Sequence, residues 1–314
     1  MIDGESTIAV IGAGTIGASW VALFAATGYS VRIFDPRPSA KESVIEYVGS
    51  AWPSLVRLGS VHPDWQSRLK FYDTPDEAVR GAFYVQENVP ERLAIKHELF
   101  RRIEPALDAN AIVASSASGL LLQDMQSAWQ DPARLLLAHP FNPPHLIPLV
   151  ELLGNERTSA AALDRAESLY RACGKTTIRL NKEVVGHVAN RLQAALWQEA
   201  IYLVTSGVVS VEDLDRAVTA GPGLRWAVMG PHMLFSLGSN GQGIASFCER
   251  YADSFKTWWD DLGRATLDSD TRMALESGVC AEEAGRQYHS LSAERDEKIV
   301  ATILALRNAK EITN

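Results

Sequence analysis

An α/β protein, with a doubly wound and mainly parallel sheet followed by a smaller all-α domain, is predicted by three observations. A glycine loop near the start joins a strand pattern to a helical one. Short apolar strands then alternate with helical stretches, and beyond about residue 188 the strand signal fades. Such alternation is the signature of a parallel α/β sheet, and long amphipathic segments without strands are that of a helical unit.

Residues 8–11 form a short apolar run suited to a strand buried on both faces, and they lead into Gly12-Ala13-Gly14-Thr15-Ile16-Gly17. Trp20, Val21, Leu23, Phe24 and Ala25 then recur at core-facing helical spacing, and a second strand over 31–34 ends in Asp35. Strand, glycine turn, helix, strand and acid together make a Rossmann-type dinucleotide-binding unit. Gly12 permits the tight turn, Gly14 lets backbone amides approach a pyrophosphate, and Gly17 lets the helix pack closely on the strand. The helix beginning near Thr15 and Ile16 offers open N–H groups to phosphate. Asp35 suits a ribose diol and repels a 2′-phosphate, which favours NAD over NADP; Arg37 is the residue type that could serve such a phosphate.

The next elements follow in order. A helix is expected over 39–58, with strands at 69–72, 82–86, 111–115 and 135–138. Helical stretches lie between most of them, notably over 92–103, and Thr74-Pro75-Asp76-Glu77 carries the start signals of another. A strand over 149–153, a helix over 159–172 and a strand over 176–180 complete the region, and helices are expected over 188–206 and 292–308. A boundary near Gly186 divides a dinucleotide-binding domain, 1–186, from a helical substrate-binding domain, 187–314.

Composition excludes other classes. A net charge of −8 argues against nucleic acid as the main partner, and no apolar run is long enough to cross a bilayer. Residues 1–5 show no basic or apolar export segment, so a cytoplasmic location is expected. The three cysteines, Cys173, Cys248 and Cys280, are widely spaced and lack metal-ligand company, so they read as packing residues and no metal is expected.

The chemistry sits further along. Ser115-Ser116-Ala117-Ser118-Gly119 follows an apolar strand at the carboxyl end of the expected sheet, where open α/β sheets place ligands. His139 ends a strand and precedes Pro-Phe-Asn-Pro. Glu151 stands in the apolar strand Pro148-Leu149-Val150-Glu151-Leu152, where a carboxylate needs a partner. His139 is the obvious one. A glycine loop followed by a histidine–carboxylate pair points to a nicotinamide enzyme whose histidine moves a proton while the cofactor takes a hydride.

GAGTIG, ENVPERLAIK, SSASGL, HPFNPP, PLVELLG, KEVVGHVANRLQ and GPGLRWAVMGP carry a resemblance that runs essentially end to end. In these motifs, their order and their spacing, the chain resembles the 3-hydroxyacyl-CoA dehydrogenase family. It is most similar to the free-acid branch of L-gulonate 3-dehydrogenase, lambda-crystallin and L-carnitine dehydrogenase. The resemblance implies that Ser118 is the active-site serine, His139 the catalytic histidine, Glu151 its carboxylate partner and Asn190 the asparagine that completes the site. It places Glu91 and Lys96 at the nicotinamide half of the cofactor, and it implies a homodimer formed through the helical domain. Ala117 stands where threonine or serine is usual, which weakens local hydrogen bonding while Ser118 is retained.

The implied reaction is oxidation of the 3-hydroxyl of a small free acid, with NAD as cofactor. Arg225 and Trp226 carry the substrate expectation. Arginine's planar fork suits a carboxylate, and tryptophan suits a sugar-acid backbone or a trimethylammonium group. Acyl-CoA enzymes usually have a proline-containing stretch at this point. A 3-hydroxyacyl-CoA dehydrogenase, a non-catalytic dinucleotide-binding protein of the lambda-crystallin sort and a polyketide-type ketoreductase on the same scaffold are the alternatives. The other histidines, His145 and His187 among them, read as pocket lining or packing.

Overall fold

The computed structural model describes residues 7–59 and 61–313, with side chains to residue 309; residues 1–5, on which the expectation about export rests, lie outside the described residues. By proximity along the chain trace it divides into two compact units. The first holds the described residues up to Arg191 and from Glu294 onward, and the second is Leu192–Ala293.

The first unit is built on an eight-stranded sheet in the order β3-β2-β1-β4-β5-β6-β7-β8. Its elements run β1 (Thr7–Ile11), α1 (Thr15–Ala26), β2 (Ser30–Phe34), α2 (Ala40–Leu58), β3 (Leu69–Phe71), α3 (Pro75–Val79), β4 (Tyr84–Glu87) and α4 (Leu93–Ile103). They continue with β5 (Ile112–Ser115), α5 (Leu122–Gln126), β6 (Leu135–Pro140), β7 (Leu149–Leu153), α6 (Ala160–Ala172) and β8 (Thr176–Arg179). Every neighbouring pair is parallel except β6 with β7, which is antiparallel. The strand order reverses at β1, between β2 and β4, and the carboxyl ends there define the crevice where such sheets bind ligands.

Each central strand feeds two cores. Ile8 and Val10 face the layer of α1, α2 and α6, while Ala9 and Ile11 face that of α3, α4 and α5. Helix α1 is buried along nearly its whole length, with Trp20 stacked on Phe24 at 5.3 Å between ring centroids. The start signal read at Thr74 acts as a cap, its hydroxyl oxygen accepting from the Glu77 N–H; at α6 Ser159 Oγ accepts from the Ala162 N–H in the same way.

Most strand ends shift by a residue or two from expectation, and two of the shifts concern site residues. Strand β4 includes Glu87, because Lys96 neutralises the buried carboxylate at 2.7 Å. Strand β6 runs through His139 to Pro140, because β7 pairs with it.

Helix α7 (Ala189–Thr205) follows β8, and the second unit contains α8 (Val211–Ala220), α9 (Pro222–Val228), α10 (Pro231–Leu237), α11 (Gly243–Asp261) and α12 (Ser269–Glu283). An aromatic cluster of Phe235, Phe247 and Phe255 ties α10 to α11. Helices α9 to α12 contain no buried residue, and Trp197, Trp258 and Trp259 are each more than half exposed. Cys173 is buried, whereas Cys248 and Cys280 are exposed on α11 and α12 rather than packed. The closing helix α13 is Tyr288–Thr313, and its later part belongs to the first unit. There Val300 is fully buried, Arg307 donates to the Leu58 carbonyl and Glu297 pairs with Arg57 at 3.5 Å. By proximity along the chain trace, both 187–191 and this last stretch group with the sheet unit.

No described helix is long and apolar enough to cross a membrane. Among the described residues no cluster of histidine, cysteine or carboxylate is arranged to hold a metal ion.

Candidate active site

The three glycines of the loop meet three different surroundings. A Cβ on Gly17 would lie 1.9 Å from the Gly12 carbonyl oxygen, and one on Gly12 (φ +83°) would lie 2.8 Å from the backbone of Asn88 and Val89. Backbone atoms cannot step aside, so both positions are restricted to glycine. A Cβ on Gly14 would meet nothing within 4 Å, and the residue opens onto free space in front of α1. Helix α1 has no side-chain cap and no acidic residue in its first turn. Its amides, with Thr15 exposed and Ile16 half-buried, are left available to an anion. This cradle fits a pyrophosphate.

Asp35 lies at the end of β2. Its carboxylate accepts from the Ala13 N–H at 2.8 Å, the Arg37 N–H at 3.0 Å and Arg37 Nε at 2.8 Å, while Arg37 Nη2 also donates to the Ala13 carbonyl. Burial alone would raise the Asp35 carboxyl, but these hydrogen bonds outweigh it and hold the group below the ordinary carboxylate range. A cavity of about 520 Å³ is lined by Gly12, Gly14, Asp35, Arg37, Asn88 and Leu99, among others. Ribose and base have room there.

Glu91 and Lys96 do different work from each other. The exposed Glu91 carboxylate accepts from the Ser118 hydroxyl at 2.7 Å and from the N–H groups of Ser118, Gly119 and Leu120, so it organises the serine loop. Burial would raise its carboxyl, yet the Ser118 hydroxyl and the loop amides bring it below the ordinary range. Lys96 is fully buried. Its ammonium bonds both oxygens of Glu87 at 2.7 Å and the Val89 carbonyl at 3.3 Å, bracing from beneath the turn that passes Gly12. The Lys96 ammonium is thus set against Glu87 inside the protein rather than left in solvent.

The histidine–carboxylate pair is a cross-strand pair. His139 on β6 stands opposite Glu151 on β7, so both side chains emerge on one face. His139 Nδ1 lies 2.9 Å from Glu151 Oε2. The other oxygen, Oε1, accepts from the N–H groups of Val188 and Ala189 at 2.8 and 3.0 Å, where α7 begins. Burial would raise the Glu151 carboxyl, but the His139 contact and the two amides hold it below the usual range. A carboxylate beside Nδ1 leaves the ring proton on that nitrogen and makes Nε2 the bare one. Asn190 Nδ2 lies 3.4 Å from Nε2, in position to donate to it.

Among the described residues the Ser118 hydroxyl donates to Glu91 and makes no hydrogen bond to His139. The same loop reaches the histidines through Ala117, whose carbonyl lies 3.2 Å from His187 Nε2. His187 is buried, with its ring centroid 4.9 Å from that of His139. The sequence places it among pocket-lining or packing residues, and its only signal there is its position three residues before Asn190. His145 is held by Ser19 Oγ at 2.8 Å; burial first, then Lys175 and Arg295, push it down to about 4, so it stays neutral. In the second unit Arg225 and Trp226 are adjacent on α9, both exposed, and no described residue forms a hydrogen bond or ion pair with the Arg225 side chain.

A parallel sheet with an open glycine cradle at its switch point, an acid after β2 and a neighbouring imidazole defines an NAD-dependent oxidoreductase. The family models agree. Residues 7–184 match the 3-hydroxyacyl-CoA dehydrogenase NAD-binding domain, and residues 186–269 match the C-terminal domain of the same family. The chain belongs to the 3-hydroxyacyl-CoA dehydrogenase family. It is 45% identical over 298 residues to an L-carnitine dehydrogenase of Streptomyces coelicolor, covering 95% of this chain and 94% of that one. It is 37% identical to an L-carnitine dehydrogenase of Pseudomonas putida, covering 97% and 95%. Among solved structures it resembles 5-formyl-3-hydroxy-2-methylpyridine 4-carboxylic acid 5-dehydrogenase, an NAD⁺-dependent dismutase. That similarity has a TM-score of 0.82 at 31% identity, over 96% of this chain and 99% of that one.

Proposed function

We propose that the chain oxidises the 3-hydroxyl of a small free 3-hydroxy acid to the 3-keto acid, with L-carnitine the first substrate to test and L-gulonate the second. The observation that carries the chemistry is the 2.9 Å contact between His139 Nδ1 and Glu151, which favours the tautomer that leaves Nε2 as the proton acceptor. Nε2 takes the hydroxyl proton as the carbonyl forms, and in reduction the same nitrogen returns it. Bound NAD supplies the hydride acceptor. Glu151 fixes the tautomer and stabilises the imidazolium, while Val188 and Ala189 hold the carboxylate against rotation. Ser118 and Asn190 hold the substrate oxygen in line.

The relatives' names favour carnitine over gulonate, and an exposed, unpaired Arg225 suits a free carboxylate. Trp226 would meet a trimethylammonium group by its face. The exposed tryptophans and core-poor helices of the second unit support a homodimer formed through it, which light scattering on the eluted protein tests directly. A cytoplasmic location belongs to the same proposal and is tested by cell fractionation.

The decisive assay follows NADH formation with L-carnitine, L-gulonate, L-3-hydroxybutyrate and the CoA thioester of the last. Turnover on a free acid alone supports the proposal. Turnover on the thioester alone overturns the substrate class. Full turnover by His139→Gln removes the assigned base.

A further inference from the structure

His187 is used by none of these steps, yet it is the ring that lies against His139. The centroids are 4.9 Å apart, with the planes tilted by 43°. His187 adopts φ 51°, a left-handed conformation that is uncommon outside glycine and persists only where the surroundings hold it. Three contacts do so. The backbone N–H donates to the Val184 carbonyl at 3.1 Å, Nε2 donates to the Ala117 carbonyl at 3.2 Å, and the next two residues give their N–H groups to Glu151. One turn therefore fixes the carboxylate behind His139 and brings a second ring to its side.

The other restraints on His139 act at its nitrogens, Nδ1 toward Glu151 and Nε2 toward Asn190 at the longer distance of 3.4 Å. Rotation of the ring about its Cβ–Cγ bond is thus opposed at Nδ1 by a short contact but at Nε2 only by a longer one. A second ring packed against the imidazole resists that motion. We propose that His187 is a positioning residue for His139: its ring holds the plane of the His139 imidazole so that Nε2 stays aimed while Nδ1 stays bonded to Glu151. The Ala117 carbonyl, 3.2 Å from His187 Nε2, fixes the second ring in turn.

This inference rests on the reading of His139 as the base, and the test separates the two. In His187→Ala, kcat is expected to fall about 10- to 100-fold, the loss that a displacement near 1 Å brings, with KM and the NADH Kd within about twofold. His187→Phe keeps a ring face and loses the Ala117 bond; it restores kcat to within about threefold of the parent. His187→Asn tolerates the left-handed backbone but has no ring and is too short to reach Ala117, so it stays as low as alanine. Wild-type turnover in His187→Ala overturns the proposal. So does rescue by asparagine without rescue by phenylalanine, or a parallel loss of kcat, NADH affinity and Tm in all three. His139→Gln is run beside them. If it is inactive while His187→Ala is fully active, only the role of His187 fails; if it is fully active, the base assignment fails first.

Discussion

Replacing Glu151 by glutamine changes one oxygen to an amino group, and the hydrogen bonds around it determine where that group goes. Oε1 accepts two N–H bonds, from Val188 and Ala189, while Oε2 faces His139 Nδ1 alone. A glutamine that turned its amino group toward the two amides would lose both bonds and set donor against donor. The lower-energy arrangement gives the oxygen to the amides and points the amino group at Nδ1. That nitrogen must then accept, so the ring proton moves to Nε2 and the base is blocked. The expected loss is that of general-base catalysis, about 10²–10⁴-fold in kcat, or roughly 2.7–5.5 kcal/mol of barrier. NADH formation under saturating substrate reads the loss. Fluorescence titration with NADH should show cofactor affinity within about twofold of the parent, since this substitution touches no part of the glycine cradle. A Glu151→Gln protein that keeps more than about a tenth of its turnover would refute the tautomer argument, because nothing else in the arrangement restores a bare Nε2.

Three further outcomes follow from other parts of the molecule. Lys96→Met leaves the buried Glu87 carboxylate without its cation and should cost about 3–5 kcal/mol in urea unfolding, whereas an exposed lysine would cost almost nothing. Lys175 is buried beside carbonyls and, among the described residues, has no carboxylate partner; burial pushes it down from 10.5 to about 7. Between those values the unfolded chain binds the proton and the folded one does not, so this group makes stability rise with pH from about 7 to 10.5. Lys175→Met should flatten that rise in Tm, and an unchanged slope would remove the lysine as its cause. Arg225→Met should raise KM for a free hydroxy acid by about tenfold or more while leaving the NADH Kd unchanged; an unchanged KM sinks carboxylate capture.

The sequence was most readable where local chemistry and tertiary position coincide. Gly12, Gly14, Gly17 and Asp35 follow from a strand–turn–helix–strand pattern, because only backbone proximity decides which residues fit there. His139 and Glu151 were legible because each is a polar residue in an apolar strand, although the antiparallel register that joins them could not be read from spacing. Lys96 was harder. A lysine on an amphipathic helix gives no sign that a carboxylate at the end of the preceding strand will draw it inside. Glu91 likewise revealed nothing of its grip on the serine loop, since its partners lie more than 25 residues away and are mostly backbone amides. His187 depends on a left-handed turn at a non-glycine residue, which local sequence preference does not announce.

The antiparallel ladder of β6 and β7 gives the pair an all-or-none character. Leu137 pairs with Leu153, Ala138 with Leu152, His139 with Glu151 and Pro140 with Val150. A slip of one residue would not loosen the imidazole–carboxylate contact by degrees; it would send Glu151 to the opposite face and bring an aliphatic side chain up beside the ring. Chains in a population therefore either possess the pair or lack it. Loss of register would remove the pair outright, whereas variants that keep the register can still differ in how well the pair works. The chemistry rests on the main-chain hydrogen bonds that set this register as much as on the two side chains that perform it.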